Sequence, residues 1–195
     1  MERTLVLIKP DAFKRGLVGE IISRFERAGL SLEEMKIVNA ATEIVGKHYS
    51  DDKNWIRSVG KKAVDTYKKY NLNIAEDLGT DDALEVGNLV RKWLIQQITS
   101  GPIIAIILSG NHAIEVVRKI VGNTVPLFAE LGTIRGDFSI DSPDLSTKEK
   151  RALQNLVHAS STIEEAKREI SLWFEKVENL LLESFNHIEY RQGIE

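Results

Sequence analysis

The sequence predicts an α+β fold: an antiparallel sheet with helices on one face, built in the order βαββαβ and enlarged by a helical insertion. Three observations carry this. Short strand-like runs alternate with segments of helical spacing along the chain. One run, Ile103-Ile104-Ala105-Ile106-Ile107-Leu108, is apolar on both faces, as a central strand must be. The 195 residues, 43% hydrophobic and 28% charged, suffice for one core with additions and are too apolar for a disordered chain.

The elements follow in order. Thr4-Leu5-Val6-Leu7-Ile8 is a buried strand stopped at Lys9-Pro10-Asp11. From Gly16 to Ala28, Leu17, Ile21, Ile22 and Phe25 share one helical face, and Gly29 sits where a C-cap belongs. Leu32 to Ala40 is a second strand with Met35, Ile37 and Val38 as its apolar core, and Ile44 to Tyr49 is a short helix. In the next helix Trp55, Val59, Ala63, Tyr67 and Tyr70 form the inward stripe, beside six basic residues between Lys53 and Lys69 and one acid, Asp65. An acidic stretch follows. Thr80-Asp81-Asp82 then caps a helix that turns Val90, Trp93, Leu94 and Ile98 inward.

Ser100-Gly101-Pro102 ends that helix and the central strand begins. His112 to Val121 is helical and Gly122 stops it; Asn123 to Asp137 loses periodicity and is too long for a plain connector. Leu156-Val157 is a brief strand before His158, and Ile163 to Phe174 is a helix with Ile163, Ala166, Ile170 and Phe174 in phase. The apolar character continues from Val177 to Phe185. This order is the split-βαβ, or ferredoxin-like, arrangement.

Several function classes are excluded. With no cysteine there is no disulfide, zinc-thiolate site or thiol catalysis. No apolar run approaches the ~20 residues of a membrane span, and the N-terminus lacks an export signal, so a cytoplasmic protein is expected. A net charge of −3 provides no global basic field for nucleic acid.

Of the four histidines, His112 at a helix start and His187 in the charged tail read as structural or surface residues. His158 differs. It follows a two-residue apolar run and precedes a Ser-rich turn that opens a helix, whose free amides suit an anion. An imidazole is a competent nucleophile toward phosphorus once a carboxylate orients it, and Glu169 on the following helix is placed to do so. Lys9, Arg118 and Arg135 sit at element ends or in the irregular loop, where cations for phosphate oxygens belong.

The motifs resemble the nucleoside diphosphate kinase family. The resemblance rests on Lys9-Pro10-Asp11, Lys14 to Ile22, His48-Tyr49, Ser100-Gly101-Pro102, Val117-Arg118-Lys119, Gly132 to Phe138, Asn155 to Ser160, Ala166 to Ile170 and Trp173-Phe174, in the family's order. It implies a ping-pong transfer of the γ-phosphate of a nucleoside triphosphate to a nucleoside diphosphate through a phosphohistidine. By resemblance His158 is the nucleophile and Glu169 holds its ring. Lys9 and Asn155 contact ribose and phosphate oxygens, and Tyr49 lines the transfer path with Lys9. Arg118, Thr124 and Arg135 grip phosphates, and Ser160 supports the histidine turn. Mg²⁺ is held through phosphate oxygens, with no direct protein ligand. Family members form hexamers or tetramers from a common dimer, so a homo-oligomer is implied.

Three departures stand out. Ser161 replaces the family's acidic residue after the histidine turn, and Ala159 replaces its glycine. The family's base-stacking phenylalanine has no recognisable counterpart: Val90 falls there by counting back from Ser100, and Trp93 is the nearby aromatic. Residues 1–195 are read as one domain with insertions at about 53–90 and 143–153. The first insertion is a helical elaboration on the nucleotide edge or at a subunit contact; its basic helix gives a rival role in binding a polyanion. The rival to an active kinase is a nucleotide-binding or regulatory module with reduced activity. An RNA-binding domain on the same fold lacks exposed aromatic strand motifs.

Overall fold

The computed structural model describes residues 1–175; the apolar tail from Val177 and His187 lie outside the described residues. Four strands, β1 (Glu2–Ile8), β2 (Ser31–Val38), β3 (Ile103–Gly110) and β4 (Val157–Ala159), form one antiparallel sheet in the order β2-β3-β1-β4. This is the split-βαβ order. β3 is central and buried along its whole length, as its uninterrupted apolar run requires.

The two crossover helices, α2 (Val18–Arg27) and α7 (Ala113–Val121), lie on one face against Val6, Ile8, Ile104, Ile106 and Leu108. The opposite face carries Leu5, Leu7, Ile103, Ala105 and Ile107. It is covered by α3 (Thr42–His48), the end of α6 (Ala83–Thr99), and the π-helical turn Ser171–Glu175 after α10 (Ile163–Ile170). The helices beyond the βαββαβ frame thus close the face that the frame leaves open.

Two expected strand and helix faces are corrected. β2 is an edge strand, and Met35 and Ile37 are 49% and 64% exposed rather than core. The inward stripe of α4 (Lys53–Lys69) is Ile56, Gly60, Val64 and Tyr67, one residue out of phase with the expected one. The glycines decide this phase: a Cβ on Gly60 would lie 1.8 Å from the Ala83 carbonyl oxygen, and one on Gly87 would lie 2.1 Å from that of Ile56. α4 and α6 therefore touch backbone to backbone, a contact that only small residues permit.

Short helices complete the chain. α1 (Pro10–Lys14) starts with proline at its first turn, where no N–H is needed. α5 (Ile74–Leu78) packs beneath α4; α8 (Ile134–Phe138) makes the end of the segment expected to be irregular helical, and α9 (Pro143–Lys148) follows it. The loop's own 3₁₀ turn, Pro126–Phe128, is tied to α4 by the stacked rings of Phe128 and Tyr70 and by Lys69 over Phe128. The last helix departs from its expected phase: Ile163 is half exposed, Glu169 points inward, and the π-helical turn buries Leu172, Trp173 and Phe174 consecutively.

Candidate active site

His158 is the middle residue of β4, opposite Leu7 of β1. The chain reaches it through a tight turn. Leu156 has φ of +69° and the Val157 amide donates to the Asn155 carbonyl at 2.7 Å, which makes a γ-turn at a fully buried, branched residue. Such a conformation costs about 1–3 kcal/mol and persists only where its surroundings impose it. They do so here. Arg135 donates from Nε to the Asn155 carbonyl, from Nη2 to Val157 and from Nη1 to Gly122. Asp11 Oδ2 accepts the Leu156 amide at 2.9 Å, and the Leu156 carbonyl accepts that of Lys9.

The ring of His158 is oriented from behind. Its Nε2 lies 2.9 Å from Glu169 Oε2 and 3.1 Å from Oε1. Ser160 Oγ donates to the same carboxylate at 2.7 Å, and both Ser160 and Glu169 are buried. Burial alone would raise the Glu169 carboxyl. Attraction to His158 and the hydrogen bonds from His158 and Ser160 outweigh it and hold the group down at about 2. A carboxylate accepts the Nε2 proton, so the lone pair of the neutral ring is on Nδ1, which has no hydrogen-bond partner among the described residues. Nδ1 is the nucleophilic atom of this geometry.

A second imidazole sits behind the first. His48 is buried, and its ring centroid is 4.4 Å from that of His158 in an edge-on contact. Its Nδ1 accepts from Trp173 Nε1 at 3.2 Å. Burial, reinforced by His158, lowers it to about 3, against the pull of Glu169. His48 is therefore neutral, with its proton on Nε2, and the 3.4 Å approach of its Nδ1 to Glu169 is not an ion pair. Arg91 of α6 fixes this corner by donating to the carbonyls of Gly46, Tyr49 and Ser50 at the end of α3.

The cations surround the turn in two tiers. Lys9, 3% exposed, donates from Nζ to Asn155 Oδ1 at 2.5 Å and to Gln97 Oε1 at 3.2 Å. Asn155 Nδ2 donates in turn to the Thr124 carbonyl. Burial lowers Lys9 to about 8, with Asp11 opposing and Arg135 assisting. Tyr49 is buried beside His48, and burial raises its hydroxyl well above the usual phenol value. In the outer tier Arg118 is exposed and donates to Ser161 Oγ at 3.0 Å; Thr124 is also exposed. Arg135 is 7% exposed, with three of its donors already on backbone carbonyls.

The structure thus gathers His158, Glu169 and Ser160 into one hydrogen-bonded group, and Lys9, Asn155 and the Thr124 backbone into another, joined by the Asn155–His158 turn. Val90 is partly buried against Val64, Tyr67, Ile74 and Val86, and Trp93 is only 7% exposed, so the Trp93 ring presents no open face. Ala159 lies in β4 and is not among the residues with positive φ, so a glycine is not required there. Gln97 and Arg91 have no functional signal in composition or spacing; the motifs His48-Tyr49 and Trp173-Phe174 pointed to that corner without assigning His48 or Trp173 a role.

A histidine with one nitrogen tied to a buried carboxylate and the other free, flanked by a buried lysine and an exposed arginine, defines a site for transferring an anionic group through a histidine nucleophile. Known proteins share this frame. The sequence profile of the family described as nucleoside diphosphate kinase matches residues 2–65 and 87–179. The nucleoside diphosphate kinase of Pyrobaculum aerophilum is 49% identical over 180 residues, 92% of this chain and 98% of that protein. That of Pyrococcus furiosus is 39% identical over 178 residues, 91% of this chain and 86% of that protein. The crystal structure of the P. aerophilum NDP kinase has a TM-score of 0.84 at 48% identity, covering 89% of this chain and 95% of that one. A Borrelia burgdorferi nucleoside-diphosphate kinase with bound vanadate and ADP, a transition-state mimic, has a TM-score of 0.70 at 34% identity, covering 89% and 86%. The chain belongs to the nucleoside diphosphate kinase family, and with it to the phosphotransferases that act on nucleotides.

Proposed function

We propose that the protein is a nucleoside diphosphate kinase working by ping-pong through His158. The single observation that supports this most is the His158–Glu169–Ser160 arrangement, which leaves Nδ1 as the free nitrogen. The Nδ1 lone pair attacks the γ-phosphorus of ATP or another nucleoside triphosphate. The bond to the β-bridging oxygen breaks and the diphosphate leaves. A second diphosphate's terminal oxygen then attacks phosphorus, the P–N bond breaks and Nδ1 regains its lone pair. Glu169 offsets the positive charge of the phosphorylated ring throughout. Lys9 has a third N–H for a phosphate oxygen, and Arg118 and the two remaining donors of Arg135 supply further charge; Thr124 and Asn155 complete the cradle.

The divalent ion is Mg²⁺, carried on the nucleotide's phosphate oxygens. When bound it neutralises charge on the phosphates. The donor set fits: among the described residues one group of three His, Asp or Glu side chains converges, and it is His48, His158 and Glu169, committed to orienting the nucleophile. An oxygen-seeking ion is left to phosphates and water.

The chain is read as one domain, residues 1–195, with insertions near 53–90 and 143–153. The gap in the family match at 66–86 and the packing of α9 against α4 and α5 support this. A homo-oligomer is the inferred assembly, supported by the apolar Met35 and Ile37 on the exposed edge strand β2. No helix among the described residues is long and apolar enough to cross a membrane; the inferred location is the cytoplasm. The test is transfer between ATP and a deoxynucleoside diphosphate at varied concentrations of both. Parallel double-reciprocal lines are expected; intersecting lines, or no transfer, would reject the reading.

A further inference from the structure

Gln97 has no place in the motifs that define the family resemblance, yet it joins the parts of the site. It lies in the last turn of α6, half-buried, with both ends of its amide engaged. Oε1 accepts from Lys9 Nζ at 3.2 Å, and Nε2 donates to the Leu153 carbonyl at 2.8 Å. Leu153 is two residues before Asn155, whose own side chain takes a second Lys9 proton and donates to Thr124. One amide therefore ties α6 to the end of β1 and to the segment that runs into the γ-turn.

We propose that Gln97 is a positioning residue for Lys9: it holds two of the ammonium protons in fixed directions together with Asn155, aims the third at the transferring phosphate, and makes that aim depend on where α6 lies. The proposal rests on the kinase reading above. An ammonium has three donors and a freely rotating head on a flexible stem. With a single acceptor it swings about that bond; with two it is fixed. Lys9 is buried, so a proton without an acceptor there is costly, and losing Gln97 favours the neutral amine. The other charged or titratable groups near Lys9 are Asp11 on α1, which supports its charge, and Arg135 on α8, which opposes it. His48 on α3 also feels its field but is itself neutral. Among the described residues, Asp11 is the carboxylate whose field acts on Lys9, and it accepts no hydrogen bond from the ammonium in place of Gln97.

α6 reaches Gln97 from the Gly60–Gly87 crossing with α4, and Arg91 of the same helix holds the α3 corner behind His158. A shift of α6 therefore moves the Lys9 acceptor and the His48 corner together. This gives the enlarged helical region a direct mechanical line to both sides of the reaction.

The test uses the full chain with ¹³C-labelled lysine, following the Lys9 side-chain resonance through a pH titration by NMR, with Lys9→Met for assignment. Gln97→Leu removes the acceptor, and the Lys9 midpoint should fall by about one pH unit from about 8. Gln97→Glu keeps the acceptor with a negative charge, and the midpoint should rise. The alkaline limb of kcat/KM should move with it in each variant, and kcat should fall about tenfold in Gln97→Leu with little change in KM. Opposite displacements in the two variants support the proposal. A midpoint that stays fixed in both, or moves the same way in both, overturns it. The titration needs no turnover, so a normal titration pattern in an enzyme that transfers no phosphate would reject the kinase reading and leave the Gln97–Lys9 coupling standing.

Discussion

Replacing Glu169 by glutamine changes one atom and removes one buried charge. The amide oxygen still accepts the His158 Nε2 proton, so the ring keeps its tautomer; the counter-charge is what goes. The structure sizes that loss. A carboxyl held at about 2 instead of its ordinary 4.5 favours its charged form by ~3 kcal/mol, at ~1.4 kcal/mol per pH unit. Part of this attraction already exists in the resting enzyme. The share that grows as the ring becomes cationic sets the rate effect, so phosphoenzyme formation should slow by roughly 10- to 100-fold. The assay is single-turnover labelling from γ-labelled ATP in a rapid-quench instrument, at saturating nucleotide so that binding is not limiting. The stability consequence has a definite sign. The folded carboxyl ionises at a lower pH than the unfolded one, so its contribution is present above about 4.5 and is lost as pH falls toward 2. Glu169→Gln should lack that acid-side loss. A labelling rate within twofold of the parent protein would refute the assignment of Glu169 as the counter-charge.

Three further predictions follow from the same geometry. His48 is held at about 3 against an ordinary 6.5, so the unfolded chain binds its proton more readily between those values. Stability present above pH 6.5 should decline as pH falls, with a slope approaching ~1.4 kcal/mol per pH unit, and urea unfolding of His48→Gln between pH 6.5 and 5 should show that slope removed. Gly60→Ala should destabilise by at least ~2 kcal/mol by prising α4 from α6, while Gly19→Ala, whose Cβ meets nothing within 4 Å, should be neutral or stabilise by up to ~1 kcal/mol, both read as shifts in Tm. Arg135→Lys replaces a fork on three carbonyls by a point charge, and should cost ~3 kcal/mol in urea unfolding through loss of the γ-turn's support.

How far the sequence could be read depended on what kind of physics each feature used. β3 was legible because a run apolar on both faces has one home in a sheet. β2 was misjudged because Met35 and Ile37 are apolar, and edge position depends on strand order, which hydropathy does not record. The phase of α4 was hidden because its packing face includes Gly60, a residue that periodicity counts as neutral but that the helix crossing requires. Motif order located Lys9, Asn155, His158, Ser160 and Glu169, and the structure joins them by hydrogen bonds. Arg135 was expected as a phosphate ligand, and its two bonds to the turn and one to the Gly122 carbonyl show a structural task that spacing cannot reveal. Gln97 was invisible because it acts on another side chain rather than on a ligand, and such a relation exists only in three dimensions; Trp173 stood in a motif, but its hydrogen bond to His48 could not be read there.

The proposed carrier of the phosphoryl group between nucleotides is His158 Nδ1. The direct measurement is to incubate the protein with γ-labelled ATP, map the labelled peptide, and determine the stability and site of the label. Acid-labile, alkali-stable label is expected on His158 at Nδ1, transferable to an added nucleoside diphosphate and absent in His158→Ala. Label on another residue, label that survives in His158→Ala, or transfer that proceeds without any labelled protein would contradict it.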